Sequence, residues 1–133
     1  MLPITMTAKN DITNRDDLLV LMEAFYAKAL KDELIQHFFN EVAHLNLQTH
    51  LPIIVNFWES VLFDTATYKG NAMAVHQHLH QLSPFNQAHF NRWVSLFQQT
   101  VDELFAGENA EKIKQRAQSI ATIMALKTIY KNA

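Results

Sequence analysis

The stretch THLPIIVNFWESVLF, residues 49–63, decides the fold. Its apolar residues never alternate with period two for long enough to form a strand, so the segment is helical. Leu51, Ile53, Ile54, Val55, Phe57, Trp58, Val61, Leu62 and Phe63 cover most of the helix circumference. Asn56, Glu59 and Ser60 leave one narrow polar stripe, and a helix of this kind must be covered on nearly all sides. The helix is expected to start near Thr49. Pro52 then falls in the first turn, where its missing N–H costs nothing. A segment from Asp64 to Asn71 ends it, with Gly70 as the flexible point.

On either side the spacing stays helical. Thr13 and Asp16 fit a capping box, and Asp17 adds charge to the first turn. Leu18, Leu19, Met22, Phe25, Tyr26, Ala29 and Leu30 then form one stripe. A shorter element is expected over Glu33 to Phe39, with a connection from Asn40 to Leu47. Ala72 to His80 is a weak, His-rich helix. Ser83-Pro84 signals a helix start, and that helix runs to about Ala106 with Phe90, Trp93, Phe97, Thr100, Val101 and Leu104 on one side. Gly107 stops it. Asn109 is the expected cap of the last helix, which buries Ile113, Ala117, Ile120, Ala121 and Met124 and ends near Tyr130. The fold class is all-α, with four sizeable helices and at least one short one.

The 133 residues suit one domain, residues 1–133. Apolar residues make up 49% and charged residues 18%, which fills a core and excludes a disordered chain. Eleven Lys and Arg against 13 Asp and Glu give a net charge of -2, without the basic excess of a nucleic-acid binder. No stretch is long and apolar enough for a membrane span. Met1 to Asp11 lack the basic patch and apolar run of a signal peptide, so a cytoplasmic location is expected. The absence of cysteine removes disulfides, thiolate metal sites and cysteine nucleophiles. Two glycines are too few for a phosphate-cradling loop.

Seven histidines remain to be explained, three of them at His76, His78 and His80. On a helix His76 and His80 share a face and His78 points away. Solvated surface histidines and a single metal ligand among the three are both open. His50 opens an otherwise apolar helix. Tyr26 and Trp93 point inward with a donor each to satisfy. Phe38 and Phe39 form an aromatic pair. Singly, each of these has a plain packing role. Together they suit a flat, apolar, iron-bearing ligand that takes one imidazole and presents an open position to a few donors.

The chain resembles the truncated haemoglobins, the two-over-two helical sandwich globins, and within them group III. The resemblance runs from about Leu18 to Leu126. It is carried by Phe25-Tyr26, Phe38-Phe39-Asn40, His50 with Asn56-Phe57-Trp58, Tyr68-Lys69-Gly70-Asn71-Ala72-Met73-Ala74-Val75-His76, and His89-Phe90-Asn91-Arg92-Trp93. It implies a globin-like fold enclosing haem b, with His76 as the iron ligand and His78 and His80 as rivals. It implies Tyr26, His50 and Trp93 on the ligand side, and Phe39 flat on the macrocycle beside Phe38. Ile54, Phe57, Met73, Phe90 and Phe97 are the implied walls. Arg92 and Tyr68 are the implied partners of the haem propionates.

The implied function is binding of dioxygen, carbon monoxide and nitric oxide, with dioxygen held tightly by the Tyr26 and Trp93 donors. Turnover of nitric oxide or peroxide would need a separate reductase, because the chain has no room for a flavin domain. On the residues alone two other classes stay open. One is a non-haem metal protein using His76, His78 and His80, and the other a cofactor-free helical interaction module.

Overall fold

In the computed structural model, which describes residues 9–130, five α-helices and one π-helical turn follow one another. They are α1 (Arg15–Ala29), the π-turn (Phe38–Val42), α2 (Leu47–Phe63), α3 (Ala72–Leu82), α4 (Gln87–Leu104) and α5 (Glu108–Thr128). No strand occurs among the described residues. Most of the segment inspected for a signal peptide, residues 1–8, lies outside them. The pair α1–α2 packs on the pair α4–α5, with α1 against α4 and α2 against α5, giving the expected two-over-two sandwich. No described helix is long and apolar enough to cross a membrane.

The caps sit where asparagine occurs, which explains most of the shifted boundaries. Asn14, not Thr13, opens α1: its side chain accepts from the Asp17 N–H at 3.0 Å, and the Asp17 carboxylate accepts from the Thr13 N–H at 2.9 Å. Asn46 opens α2 two residues earlier than expected. Pro52 is therefore inside the helix, and the Gln48 carbonyl loses its usual donor. Asn86, not Ser83, opens α4, in a reciprocal cap with His89. The residue before Pro84 avoids helical backbone, and Ser83 is extended. Asparagine outranks threonine as a cap because its side-chain oxygen reaches the N2 or N3 amide more readily.

The short element expected over Glu33 to Phe39 becomes a turn followed by π-helix. The Asp32 carboxylate accepts from Leu34 and Ile35 N–H, and Ala43 N–H reaches back five residues to the Phe38 carbonyl. On α1, Leu21 is fully buried and Leu19 is 37% exposed, because the helix buries a face wide enough to meet both α2 and α4.

The last helix is capped from far away in sequence. Asp11, not Asn109, accepts from the N–H groups of Asn109 and Ala110, at 2.9 and 2.8 Å. Gly107 makes this approach possible. Its φ of 144° is open to glycine alone, and a Cβ there would collide with the Asp11 carboxylate. Gly107→Ala is expected to lower stability by about 1–3 kcal/mol from the backbone alone. Asp11→Ala should cost about 0.5–2 kcal/mol as a lost cap. Urea unfolding of both and of the double variant checks this. The double should fall short of the sum, since each change removes the same cap. Burial works to raise the Asp11 pKa, but the N–H donors of Asn109, Ala110 and Ile12 outweigh it and hold the carboxyl below its ordinary value. The stabilisation is then whole above the ordinary carboxylate range and disappears as pH falls through the lowered value.

Candidate functional site

Tyr26 lies at the inward edge of the α1 stripe and is 5% exposed. Its hydroxyl is 2.7 Å from His50 Nε2, and the two rings meet edge to face at 5.2 Å. Phe39 of the π-turn stands edge to face against the same phenol at 5.6 Å. Burial pushes the Tyr26 pKa well above the ordinary phenol range. Burial, and then the nearby His76, lower that of His50. Both groups are therefore neutral. The phenol donates to His50 Nε2 when the imidazole proton sits on Nδ1, and accepts from it when that proton sits on Nε2. Trp93 of α4 is half-buried, stacked on Phe97 at 5.4 Å, with the edge of Phe25 at 6.0 Å. Among the described residues its indole N–H has no hydrogen-bond partner.

His76 lies close enough to His50 to influence it. Asn71 opens α3 by accepting from the Ala74 N–H at 3.0 Å. One turn on, His76 Nδ1 is 2.8 Å from the Ala72 carbonyl. A carbonyl only accepts, so Nδ1 carries the proton and the Nε2 lone pair is left available. That is the state a metal-ligating imidazole requires. Burial lowers the His76 pKa, opposed in part by the Ala72 bond, which keeps the ring neutral.

Not one of the 11 residues of α3 is buried, although the helix is amphipathic. It packs on α5 and the π-turn and closes on none of α1, α2 or α4. Only Val55, Trp58 and Leu62 of the apolar α2 are buried. Ile54 and Phe57, which share the face of His50, stay half-buried, as does Met73 on α3. The expectation that α2 is covered on nearly all sides does not hold within the chain itself. These half-buried apolar side chains, an unprotonated His76 Nε2 and the Tyr26 and Trp93 donors form a set whose chemistry suits a flat apolar group bearing a metal.

The structure thus brings together Tyr26, His50 and Phe39, with His76 near His50 and Trp93 joined through Phe25. Ile54 and Phe57 share the His50 face, and Met73 packs with Phe90, Val94 and Met124. The other candidates lie elsewhere. Phe38 is 5% exposed and wedged among Phe85, His89 and His37. Phe90 is core, beside Val94 and Met124. Phe97 is fully buried, stacked between Trp93 and Trp58 behind the site. The Arg92 guanidinium is bound at 2.7 Å to Asp32. The Tyr68 ring meets Phe57 edge-on, and its hydroxyl lies where a Gly70 Cβ would fall, 2.5 Å away. A side chain at Gly70 would have to displace the outer end of the Tyr68 ring.

His76, His78 and His80 do not converge. His78 is exposed, and His80 Nδ1 accepts from the Phe85 N–H at 2.8 Å. Among the described residues no three His, Asp or Glu side chains are placed to hold a metal ion. Phe85 escaped the sequence reading. It stacks on His80 at 5.6 Å, reaches within 6.4 Å of His76, and meets Phe90 at 5.3 Å. The signal was present: Phe85 precedes the Asn86 cap and Phe90 follows it by four, the spacing of a hydrophobic staple.

No protein-family model matches the chain. The chain is 32% identical over 117 residues to the group 3 truncated hemoglobin ctb of Campylobacter jejuni, covering 86% of this chain and 90% of that protein. It is also similar to the crystal structure of a group III truncated hemoglobin from Campylobacter jejuni, with a TM-score of 0.80 and 30% identity. That match covers 90% of this chain and 94% of the other.

Proposed function

Since the chain belongs to the group III truncated haemoglobins, we propose that it binds haem b through His76 and holds small diatomic ligands beneath Tyr26, His50 and Trp93. The observation that carries this reading is the His76 imidazole, its Nδ1 tied to the Ala72 carbonyl so that Nε2 is left without a proton, close enough to His50 to lower its pKa. When bound, haem supplies an iron with an open position for dioxygen, carbon monoxide or nitric oxide.

The chain's own residues set the polarity of that position. Phe39, Ile54, Phe57 and Met73 flank the group and exclude water. Tyr26 and Trp93 contribute an O–H and an N–H to the negative end of a polar ligand, and low dielectric strengthens both. With the imidazole proton on Nδ1, the phenol donates to His50 Nε2. A shift of the His50 proton to Nε2 reverses that bond. His50 then donates to the phenol oxygen, and the phenol proton is freed for the ligand, polarised by the bond behind it. Such a pocket favours dioxygen over the less polar carbon monoxide. Tight retention suits turnover of nitric oxide or peroxide better than carriage, with electrons from a separate reductase.

The optical spectrum tests the reading. Protein produced with haem in supply is expected to carry about one haem per chain, with a strong Soret band that shifts on reduction and again with carbon monoxide. A colourless protein that takes up no added haemin would refute it.

A further inference from the structure

Both tryptophans and Tyr68 lie on a file of rings, from which Phe25 branches at Trp93 and Phe97 to Tyr26. Trp93 stacks on Phe97 at 5.4 Å and 16°, and Phe97 stacks on Trp58 at 5.0 Å and 24°. Trp58 meets Phe57 edge-on at 5.1 Å, and Phe57 meets Tyr68 edge-on at 5.3 Å. The file starts beside the site, at Trp93. It runs through the fully buried Phe97 and the nearly buried Trp58. It ends at half-buried Tyr68, in the segment between α2 and α3. Packing alone asks only for volume and apolarity at these positions. Indole and phenol add something that leucine would not: among side chains they readily give up one electron.

We propose that this file carries oxidising equivalents from the haem site to Tyr68, where phenolic reductants too bulky for the interior are oxidised at the expense of a hydroperoxide. The proposal rests on the haem reading above. The balance is one hydrogen peroxide and two phenols to two waters and two phenoxyl radicals. For each phenol, Tyr68 passes an electron inward along the file and releases its hydroxyl proton to water. It then recovers one electron and one proton from the phenol outside. Inside, the peroxide O–O bond breaks as two electrons and two protons are taken up.

Tyr26 is nearer the site and is the competing donor. Its hydroxyl is 2.7 Å from His50 Nε2. Tyr26 is 5% exposed, out of reach of a phenol too bulky for the interior, whereas half-buried Tyr68 meets solvent. Tyr130 is not on the file, since its hydroxyl donates to Gln87.

The test is one equivalent of hydrogen peroxide added to the haem-loaded ferric chain with a nitroso spin trap. The readouts are electron paramagnetic resonance and peptide mass spectrometry. The adduct is expected on Tyr68. It should be lost in Trp58→Phe, which keeps a ring but not an oxidisable one. In Tyr68→Phe it should retreat to Trp58, and oxidation of a bulky phenol should cease. A label confined to Tyr26 or Trp93 in the parent chain overturns the proposal. So does a Tyr68 label unchanged by Trp58→Phe, or a label in Tyr68→Phe that never reaches Trp58. A starting protein with no Soret band overturns the haem reading itself, so the two failures are told apart before peroxide is added.

Discussion

His76→Ala is expected to abolish stoichiometric haem retention, while the apoprotein stays folded. His76 supplies an imidazole whose Nε2 is available, whereas His80 is engaged by the Phe85 N–H and His78 is exposed. No residue of the helix that carries it is fully buried and His76 itself is half-buried, so truncation removes part of its packing but leaves the core intact. The stability cost should stay within about 1 kcal/mol, typical of a site that is not core. The checks are haem content, the Soret band and urea unfolding, each repeated with added imidazole. Free imidazole should restore a histidine-like spectrum, because the void left by the side chain has the size of the ligand added. Normal haem content in His76→Ala, with loss in His80→Ala instead, would move the iron ligand to His80.

Tyr26→Phe is expected to accelerate dioxygen release by about 10–150-fold, the equivalent of one hydrogen bond to a charged acceptor at about 1.5–3 kcal/mol. Carbon monoxide release should be nearly unchanged, because bound carbon monoxide carries less charge for the phenol to stabilise. The ring survives the substitution, so its edge contacts with Phe25 and Phe39 survive too. Stopped-flow displacement of each gas separates the cases. Equal acceleration of both would mean that the phenol shapes the pocket without donating. A second signature lies in alkali. The folded chain holds this phenol protonated far above its ordinary value of 10.0. The associated stability is whole below about pH 10 and is lost as pH rises beyond it, where unfolding lets the phenol ionise. Tyr26→Phe should therefore resist alkaline unfolding better than the parent relative to their stabilities at neutral pH.

The helices could be read from spacing because burial of an apolar face imposes a period near 3.6, and that period is local. Tyr26, His50 and His76 could be picked out for a related reason. A phenol on a buried stripe, a histidine on an apolar helix and three clustered histidines are all short-range anomalies, but only the family resemblance separates His76 from His78 and His80. Helix ends were less legible. Thr13 and Asn14 compete for one cap, as do Ser83 and Asn86, and the geometry of the whole link decides between them. The cap of α5 was invisible, because Asp11 reaches Asn109 across most of the chain.

The sequence by itself determined an all-helical chain, its family, and the chemical inventory of the site, since these depend on local pattern and residue type. Only the tertiary structure decided which aromatic rings border the site and which stand behind it. Phe38, Phe90 and Phe97 carry the same hydrophobic signal as Phe39 and Phe57, yet the first three are buried in the packed core and the last two are half-buried. Their separation follows from how α1, α2 and α4 close on one another while α3 stands off, and no local pattern encodes the distance between helices that are far apart in sequence.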